Sequence, residues 1–230
     1  KTNAIHLNIR PFTEIKSVEV EWFWPGLIPK GKPTSIVGDP GVGKSFLTLF
    51  IAANVSKGGK WPDGSLIHKG NVILVSAEDA AADTVKPRLE TFNPDFRRIF
   101  DLAISVNSGD HEVPLSFAEH MPFIESEVRG RDATLLVVDP LLALLGKSVN
   151  SYNAQEVRSV LAQFKRLGEE TGCTVLSVMH PNKTNSQSNA LYRPAASIDL
   201  VAAQRSVLAV GENPEDPNRR IIAQIKSNLS

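Results

Sequence analysis

The chain has 230 residues, 42% of them apolar, which is enough for one sizeable hydrophobic core. Its formal net charge is zero at pH 7, so no global basic surface indicates nucleic-acid binding, and any such contact must be local. The single cysteine, Cys173, excludes an internal disulfide framework and fits a reducing compartment. We find no secretory leader pattern and no apolar run that could span a bilayer, so we expect a cytoplasmic protein without membrane contacts.

Residues 1–33 carry scattered charge and a Trp-Phe-Trp run at 22–24. We favour an aromatic plug that covers one edge of the sheet, because tryptophan buries a large apolar area. The alternative is a wall for a nucleotide base or for a neighbouring subunit. We therefore predict an N-terminal extension over 1–33 that packs on a single following domain, 34–230, which is itself open to being a fragment of a longer chain.

The stretch 38–45 reads Gly-Asp-Pro-Gly-Val-Gly-Lys-Ser, which matches the phosphate-binding P-loop pattern. An apolar strand pattern precedes it and an apolar helical pattern follows it, as the motif requires. Backbone N–H groups and the positive end of the helix would bind phosphate, Lys44 would reach the β- and γ-phosphates, and Ser45 would hold Mg²⁺. The predicted contacts to ATP are Gly38, Asp39, Pro40, Gly41, Val42, Gly43, Lys44, Ser45 and Phe46.

Apolar strand patterns then alternate with helical ones. The predicted strands after the P-loop cover residues 71–76, 99–106, 134–139, 174–179, 206–210 and 220–225. The predicted helices begin near residues 44, 83, 117 and 153. Unbroken apolar strands are typical of a parallel sheet that is covered on both faces. The two prolines within 212–218 predict a turn, and hence a hairpin, between the last two strands. The pattern predicts a three-layer α/β domain with a mainly parallel sheet and a C-terminal antiparallel hairpin.

Acidic and polar side chains follow several of these strands, at the end where ligands of parallel sheets bind. Asp139 ends an apolar run in the manner of a Walker B strand and is predicted to support Mg²⁺. Glu78 is our choice to activate the attacking water, with Asp79 as a competitor that more naturally starts the next helix. An acid that merely complements a helix dipole is the alternative for Glu78. His180 would sense the γ-phosphate or, equally, bond a backbone group at the strand end.

These motifs resemble RecA-fold ATPases of the hexameric plasmid replicative helicase (RepA-type) and DnaB-like class. The resemblance rests on five motifs. They are Trp-x-Trp-Pro-Gly before the P-loop, Val-Ser-Ala-Glu, Leu-Val-Val-Asp-Pro, His-Pro-Asn-Lys and Gln-Arg-Ser-Val-Leu. It implies a RecA-like fold, a catalytic Glu78, a Mg²⁺-supporting Asp139 and a sensing His180. It also implies that Arg205 acts as an arginine finger in the neighbouring subunit's site, with Lys226 as a second candidate; a surface ion pair is the alternative for Arg205.

The resemblance further implies that the loops at 146–153 and 181–197 face a central channel and hold single-stranded DNA. A cation beside an aromatic platform is the usual chemistry for such binding. The candidates are Lys147, Tyr152, Lys183, Tyr192 and Arg193. By composition alone the same loops read as solvated surface.

The sequence therefore favours an oligomeric, Mg²⁺-dependent ATPase that acts on single-stranded nucleic acid, as the motor domain of a replicative helicase or primase–helicase in a hexameric ring. The alternative is an ATP-gated oligomer that loads or holds DNA without translocation. A small-molecule kinase is a third hypothesis, which the shortage of arginines in the polar loop at 184–194 disfavours.

Overall fold

The computed structural model describes residues 9–106, 111–113, 115–145, 154–179 and 204–228. The strands are β1 Trp22–Trp24, β2 Ile28–Pro29, β3 Pro33–Val37, β4 Gly59–Lys60, β5 Leu66–Ile67, β6 Asn71–Ser76, β7 Ile99–Asp101, β8 Ile104–Val106, β9 His111–Val113, β10 Ala133–Asp139, β11 Thr174–Met179, β12 Ser206–Asn213 and β13 Asp216–Ser227. The helices are α1 Lys44–Lys57, α2 Lys86–Glu90, α3 Phe117–Gly130 and α4 Ala154–Thr171, and a π-helical turn, Ala81–Val85, leads into α2.

Seven strands form the central sheet, in the order β13-β12-β3-β11-β10-β6-β7. Every neighbouring pair from β12 to β7 is parallel, whereas β12 and β13 form an antiparallel hairpin. The fold class predicted from the sequence is confirmed. The strand order places β11 between the P-loop strand β3 and the strand β10 that ends in Asp139.

The sheet is covered on both faces because its strands alternate two apolar sets. In β10, Leu135 and Val137 belong to the core that packs on α1, while Leu136 and Val138 belong to the core that packs on α3 and α4. A period of two along a strand sends neighbouring side chains to opposite faces, and here both faces are apolar. At about 25 cal/mol per Å² of buried apolar surface, burial on both faces is a main source of the stability of the sheet.

The prediction of one strand over 99–106 is wrong. β7 joins the edge of the central sheet through residues 99–101 and then ends, and β8 pairs instead with β9 in a separate two-stranded antiparallel sheet. The parallel register of β7 with β6 stops at Asp101. The apolar pattern continues across this break, so it could not reveal the change of partner.

The Trp-Phe-Trp run lies in β1 and packs on the α1 side of the sheet. Trp24 is 6% exposed and stacks on Trp61 with ring centroids 4.4 Å apart, and its indole N–H donates to Asp63 at 2.9 Å. Trp61, 2% exposed, donates in turn to the carbonyl of Phe23. Trp24 is thus buried, as a plug requires, but it packs on the α1 face of the sheet and not over the predicted edge. Among the described residues, no helix is both long and apolar enough to cross a membrane.

Candidate nucleotide site

The P-loop connects β3 to α1 and is shaped by two glycines. Gly43 has φ of 92°, a left-handed conformation that a side chain would strain, and α1 begins at the next residue. A Cβ atom on Gly38 would lie 2.3 Å from the carbonyl oxygen of Val210 in β12. The loop therefore passes against the C-terminal hairpin at a distance that only glycine allows.

Lys44 lies beneath this loop and is 4% exposed. Its ammonium donates to the carbonyl oxygens of Gly38 and Asp39, each at 2.8 Å. Burial lowers the pKa of Lys44, and the negative charges of Asp139, Asp39 and Glu78 oppose that shift, in this order. The structure thus brings a buried cation within electrostatic reach of the two acids that the sequence singles out.

Ser45 and Asp139 line one pocket at the carboxyl end of the sheet, together with Ser76, Thr48 and Asp79. Hydroxyl and carboxylate oxygens are the ligands that Mg²⁺ takes in NTPase sites, where substrate phosphates and water complete the shell. No group of three or more His, Cys, Asp or Glu side chains that could hold a metal occurs among the residues the structure describes. The oxygen donors of Ser45 and Asp139 fit a Mg²⁺ ion bound together with a nucleotide, which these two residues would contact.

Glu78 follows β6 and is exposed. Asp139 pairs in register with Ser76, and the backbone N–H of Ala77 donates to the carbonyl oxygen of Asp139 at 2.9 Å. These contacts fix the start of the segment that carries Glu78 beside the end of β10. Asp79 pairs with Arg88 of α2, so its carboxylate ties this segment to the following helix rather than starting it.

The remaining P-loop residues differ in exposure. Asp39, Pro40 and Gly41 are exposed, whereas Val42 is 7% exposed and belongs to the core. Phe46, one turn into α1, is 45% exposed and meets Phe92 edge to face, with ring centroids 5.2 Å apart. Its ring thus has both a packing partner and an open side.

The sequence analysis missed two residues of this region. Ser76 is the polar end of an apolar strand, the same signal that marked Asp139. Arg220 of β13 donates through Nε to the carbonyl oxygen of Val42 in the P-loop, at 3.2 Å. No local motif could have found Arg220, because 178 residues separate the two partners.

Arg205 lies at the opposite end of the sheet. Its backbone N–H meets the carbonyl oxygen of Pro33, the first residue of β3, at 3.4 Å, while the P-loop follows the last residue of that strand. Its side chain lines a groove with Lys30, Lys32, Glu19, Glu21 and Glu169 among others. Lys226 is close by, since burial first and the charge of Arg205 second lower the pKa of Lys226. Arg205 and Lys226, the two candidates for the arginine finger, therefore lie close together at the end of the sheet that is remote from the P-loop of the same chain.

Six predicted site residues lie outside the described residues: His180, Lys147, Tyr152, Lys183, Tyr192 and Arg193. β11 ends at Met179, between the ends of β3 and β10.

A family model described as an AAA domain matches residues 13–186. The chain belongs to this AAA-domain family. Since the family is one of P-loop ATPases, the chain is an NTPase domain with a RecA-like fold, and the nucleotide is the ligand that its P-loop implies.

The chain is also similar to curated proteins named DNA repair protein RadA. It is 26% identical over 160 residues to the protein of Streptococcus pyogenes serotype M6, which covers 69% of this chain and 29% of that protein. It is 26% identical to the Streptococcus pneumoniae protein over 69% of this chain and 32% of that protein. For the Campylobacter jejuni protein the identity is 25% over 169 residues, 72% of this chain and 32% of that protein. The chain thus spans about a third of the length of these relatives.

Proposed function

We propose that this AAA-family domain binds MgATP at residues 38–46 and hydrolyses it, with Lys44 on the phosphates, Ser45 and Asp139 on Mg²⁺ and Glu78 as the group that activates water. One observation carries the proposal. The buried Lys44 ammonium lies where Asp139 and Glu78 act on it electrostatically, and Asp139 shares a pocket with Ser45. A triphosphate with Mg²⁺ would bring anionic oxygens to the Lys44 ammonium and a cation to the pocket that Ser45 and Asp139 line.

The Mg²⁺ ion, when bound, neutralises charge that develops on the transferred phosphoryl group. The protein's own contribution is orientation and proton transfer. Backbone N–H groups of the P-loop and the start of α1 would hold the phosphates, and the Glu78 carboxylate would accept the proton of a water that attacks the terminal phosphorus. His180, if it contacts the γ-phosphate, would register its loss.

We also propose that hydrolysis is coupled to single-stranded DNA in a homo-oligomer, as the motor domain of a replicative helicase or primase–helicase. Two observations support this. The RadA relatives are named as DNA repair proteins, and Arg205 lies too far from its own P-loop to serve it, as an arginine finger acting between subunits requires. In this proposal Arg205, or Lys226 beside it, completes a neighbour's site in a hexameric ring, and Lys147, Lys183 and Arg193 contact DNA. We further propose that an N-terminal extension over 1–33 packs on a single ATPase domain over 34–230.

Size and ATPase rate, measured together, test this function. Sedimentation should show assembly with a non-hydrolysable ATP analogue, further stabilised by single-stranded DNA, and DNA should raise the ATPase rate. A monomer that hydrolyses ATP at a rate indifferent to DNA would sink the motor proposal but leave the ATPase. Strand displacement with ATP separates a translocating motor from an oligomer that only loads or holds DNA.

A further inference from the structure

The side chain of Arg220 holds the P-loop from outside the nucleotide site. Its Nε–H donates to the carbonyl oxygen of Val42 at 3.2 Å, while Nη1 donates to the carbonyl oxygens of Pro217 at 2.6 Å and Arg219 at 3.1 Å. Nη2 lies 3.6 Å from a carboxylate oxygen of Glu212 across the hairpin. One guanidinium thus ties the turn of the C-terminal hairpin to the middle of the phosphate-binding loop.

We propose that Arg220 is a positioning residue for phosphate binding, which fixes the peptide between Val42 and Gly43 so that the N–H of Gly43 is available to the phosphates of a nucleotide. This inference rests on the proposed function, because it assigns Arg220 a part in the same nucleotide site.

The geometry of the peptide unit gives the physical reason. In a planar trans peptide the C=O and the following N–H point in opposite directions. A donor that holds the Val42 carbonyl oxygen on the β13 side therefore turns the Gly43 N–H away from β13. Gly43 has no Cβ and already has φ of 92°, so little else opposes rotation of this peptide. A flipped peptide would present a carbonyl oxygen to the phosphates in place of a donor.

Two features make Arg220 suited to this task. The guanidinium is planar, always charged and offers donors in a fixed fork, so its bonds to Pro217 and Arg219 aim Nε at the loop. The hairpin is held beside the start of the loop, since β12 pairs with β3 up to Ala209 and Val37 and the Val210 carbonyl oxygen lies close to Gly38. Val210 and Arg220 therefore contact the P-loop at its first and fifth residues.

Binding of ADP and of inorganic pyrophosphate tests the proposal. We compare the unchanged chain with Arg220→Gln, Arg220→Lys and the control Arg219→Gln. Arg219 is the neighbouring cation on the same strand, its side chain is 77% exposed, and it pairs with Asp216. Loss of a charge-assisted hydrogen bond predicts that Arg220→Gln weakens both ligands about tenfold, whereas Arg219→Gln stays within twofold. Arg220→Lys keeps the charge without the fork and should remain several-fold weaker than the unchanged chain.

A second readout follows the loop itself. In the chain without ligand, the ¹⁵N–¹H resonance of Gly43 should shift in Arg220→Gln and Arg220→Lys, and hardly in Arg219→Gln. If Arg220→Gln fails to fold, Arg220→Lys and this resonance still decide. Equal binding by Arg220→Gln, full recovery in Arg220→Lys or an unmoved Gly43 resonance would overturn this inference alone. Absence of ADP and pyrophosphate binding in the unchanged chain would overturn the proposed function as well.

Discussion

The two ends of the parallel sheet carry different groups of the proposed ATPase: the nucleotide-site residues at one end and the candidate arginine-finger cations at the other. At the carboxyl end, Lys44, Ser45, Asp139 and Glu78 converge from α1, β10 and the segment after β6. At the amino end, Arg205 and Lys226 lie together beside the start of β3. β3 has five residues, which at about 3.3 Å each separates the two ends by roughly 17 Å.

Within one chain, the proposed nucleotide site and the cations Arg205 and Lys226 therefore lie at opposite ends of the sheet, too far apart to act together. Parallel strands force this arrangement, since every strand presents its carboxyl end on the same side. If Arg205 takes part in hydrolysis, it must do so in another subunit. The predictions below test that division.

The largest effect is expected from Arg205→Ala. Arginine fingers contribute about 10³-fold or more to turnover, so hydrolysis should collapse in the assembled protein while nucleotide binding to isolated subunits persists. Mixing Arg205→Ala with Lys44→Met subunits should recover hydrolysis, because the second variant donates Arg205 to sites whose P-loop is intact. Unchanged turnover in Arg205→Ala would show that Arg205 is not an arginine finger, and a mixture without recovery would contradict its action between subunits. The same experiment with Lys226→Ala decides between the two cations.

Glu78→Gln tests the carboxyl end. The amide cannot accept the proton of the attacking water, so hydrolysis should fall about 10²-fold or more, with ATP affinity within twofold of the unchanged chain. Glu90→Gln is the matched control, since Glu90 is an exposed carboxylate of α2 that does not line the pocket of Ser45 and Asp139. Hydrolysis that survives within a few-fold in Glu78→Gln would assign the base elsewhere.

Gly38→Ala tests the contact between the P-loop and the C-terminal hairpin. The new Cβ would overlap the Val210 carbonyl oxygen, and overpacking of this kind costs about 1–3 kcal/mol of unfolding free energy. Gly130→Ala is the control, because nothing lies within 4 Å of a Cβ there. Urea unfolding measures both. A Gly38→Ala chain as stable as the control would show that the hairpin yields.

The pH dependence of binding is the smallest expected effect. Burial lowers the pKa of Lys44, and phosphates bind its protonated form. Nucleotide affinity should therefore fall several-fold as the pH rises through a range below that of an ordinary lysine, near 10.4. Titrations of ADP binding from pH 7 to pH 10 should show this decline and lose it in Lys44→Met. A decline of equal size in both chains would assign the titration to another group.

Burial of the Lys44 ammonium also lowers the free energy of unfolding of the chain. A lysine whose pKa is lower in the folded chain binds fewer protons there than in the unfolded chain, so this group makes stability rise as pH passes from the folded to the unfolded pKa. The phosphates of a bound nucleotide would favour the ammonium form of Lys44 and so offset this cost in folding stability.

Local patterns were enough for most of the fold. A continuous stretch of residues encodes each of the P-loop, α1 and the apolar strands β6, β10 and β11. The alternation of apolar strand and helix patterns predicted the parallel sheet. They were not enough for residues 99–106, where an unbroken pattern belongs to two sheets. Apolar periodicity records burial, but it does not record which strand supplies the hydrogen bonds.

The residues of the candidate site also differ in whether a local sequence pattern could mark them. Glu78 and Asp139 each follow an apolar strand, so the sequence could mark them, and the structure brings both to Lys44. Ser76 carried the same signal and could have been marked. Arg220 carried none, because its importance depends on a contact with Val42 across 178 residues.

The sequence by itself marked the phosphate-binding loop, the candidate acids and, apart from residues 99–106, the main strands of the central sheet, because each depends on residues close together in the chain. Only the tertiary structure decided that Arg205 and Lys226 lie together at the far end of the sheet, and that Arg220 holds the P-loop. Those placements follow from the pairing of β12 with β3 and with β13, and strand pairing is set by the packing of the whole core.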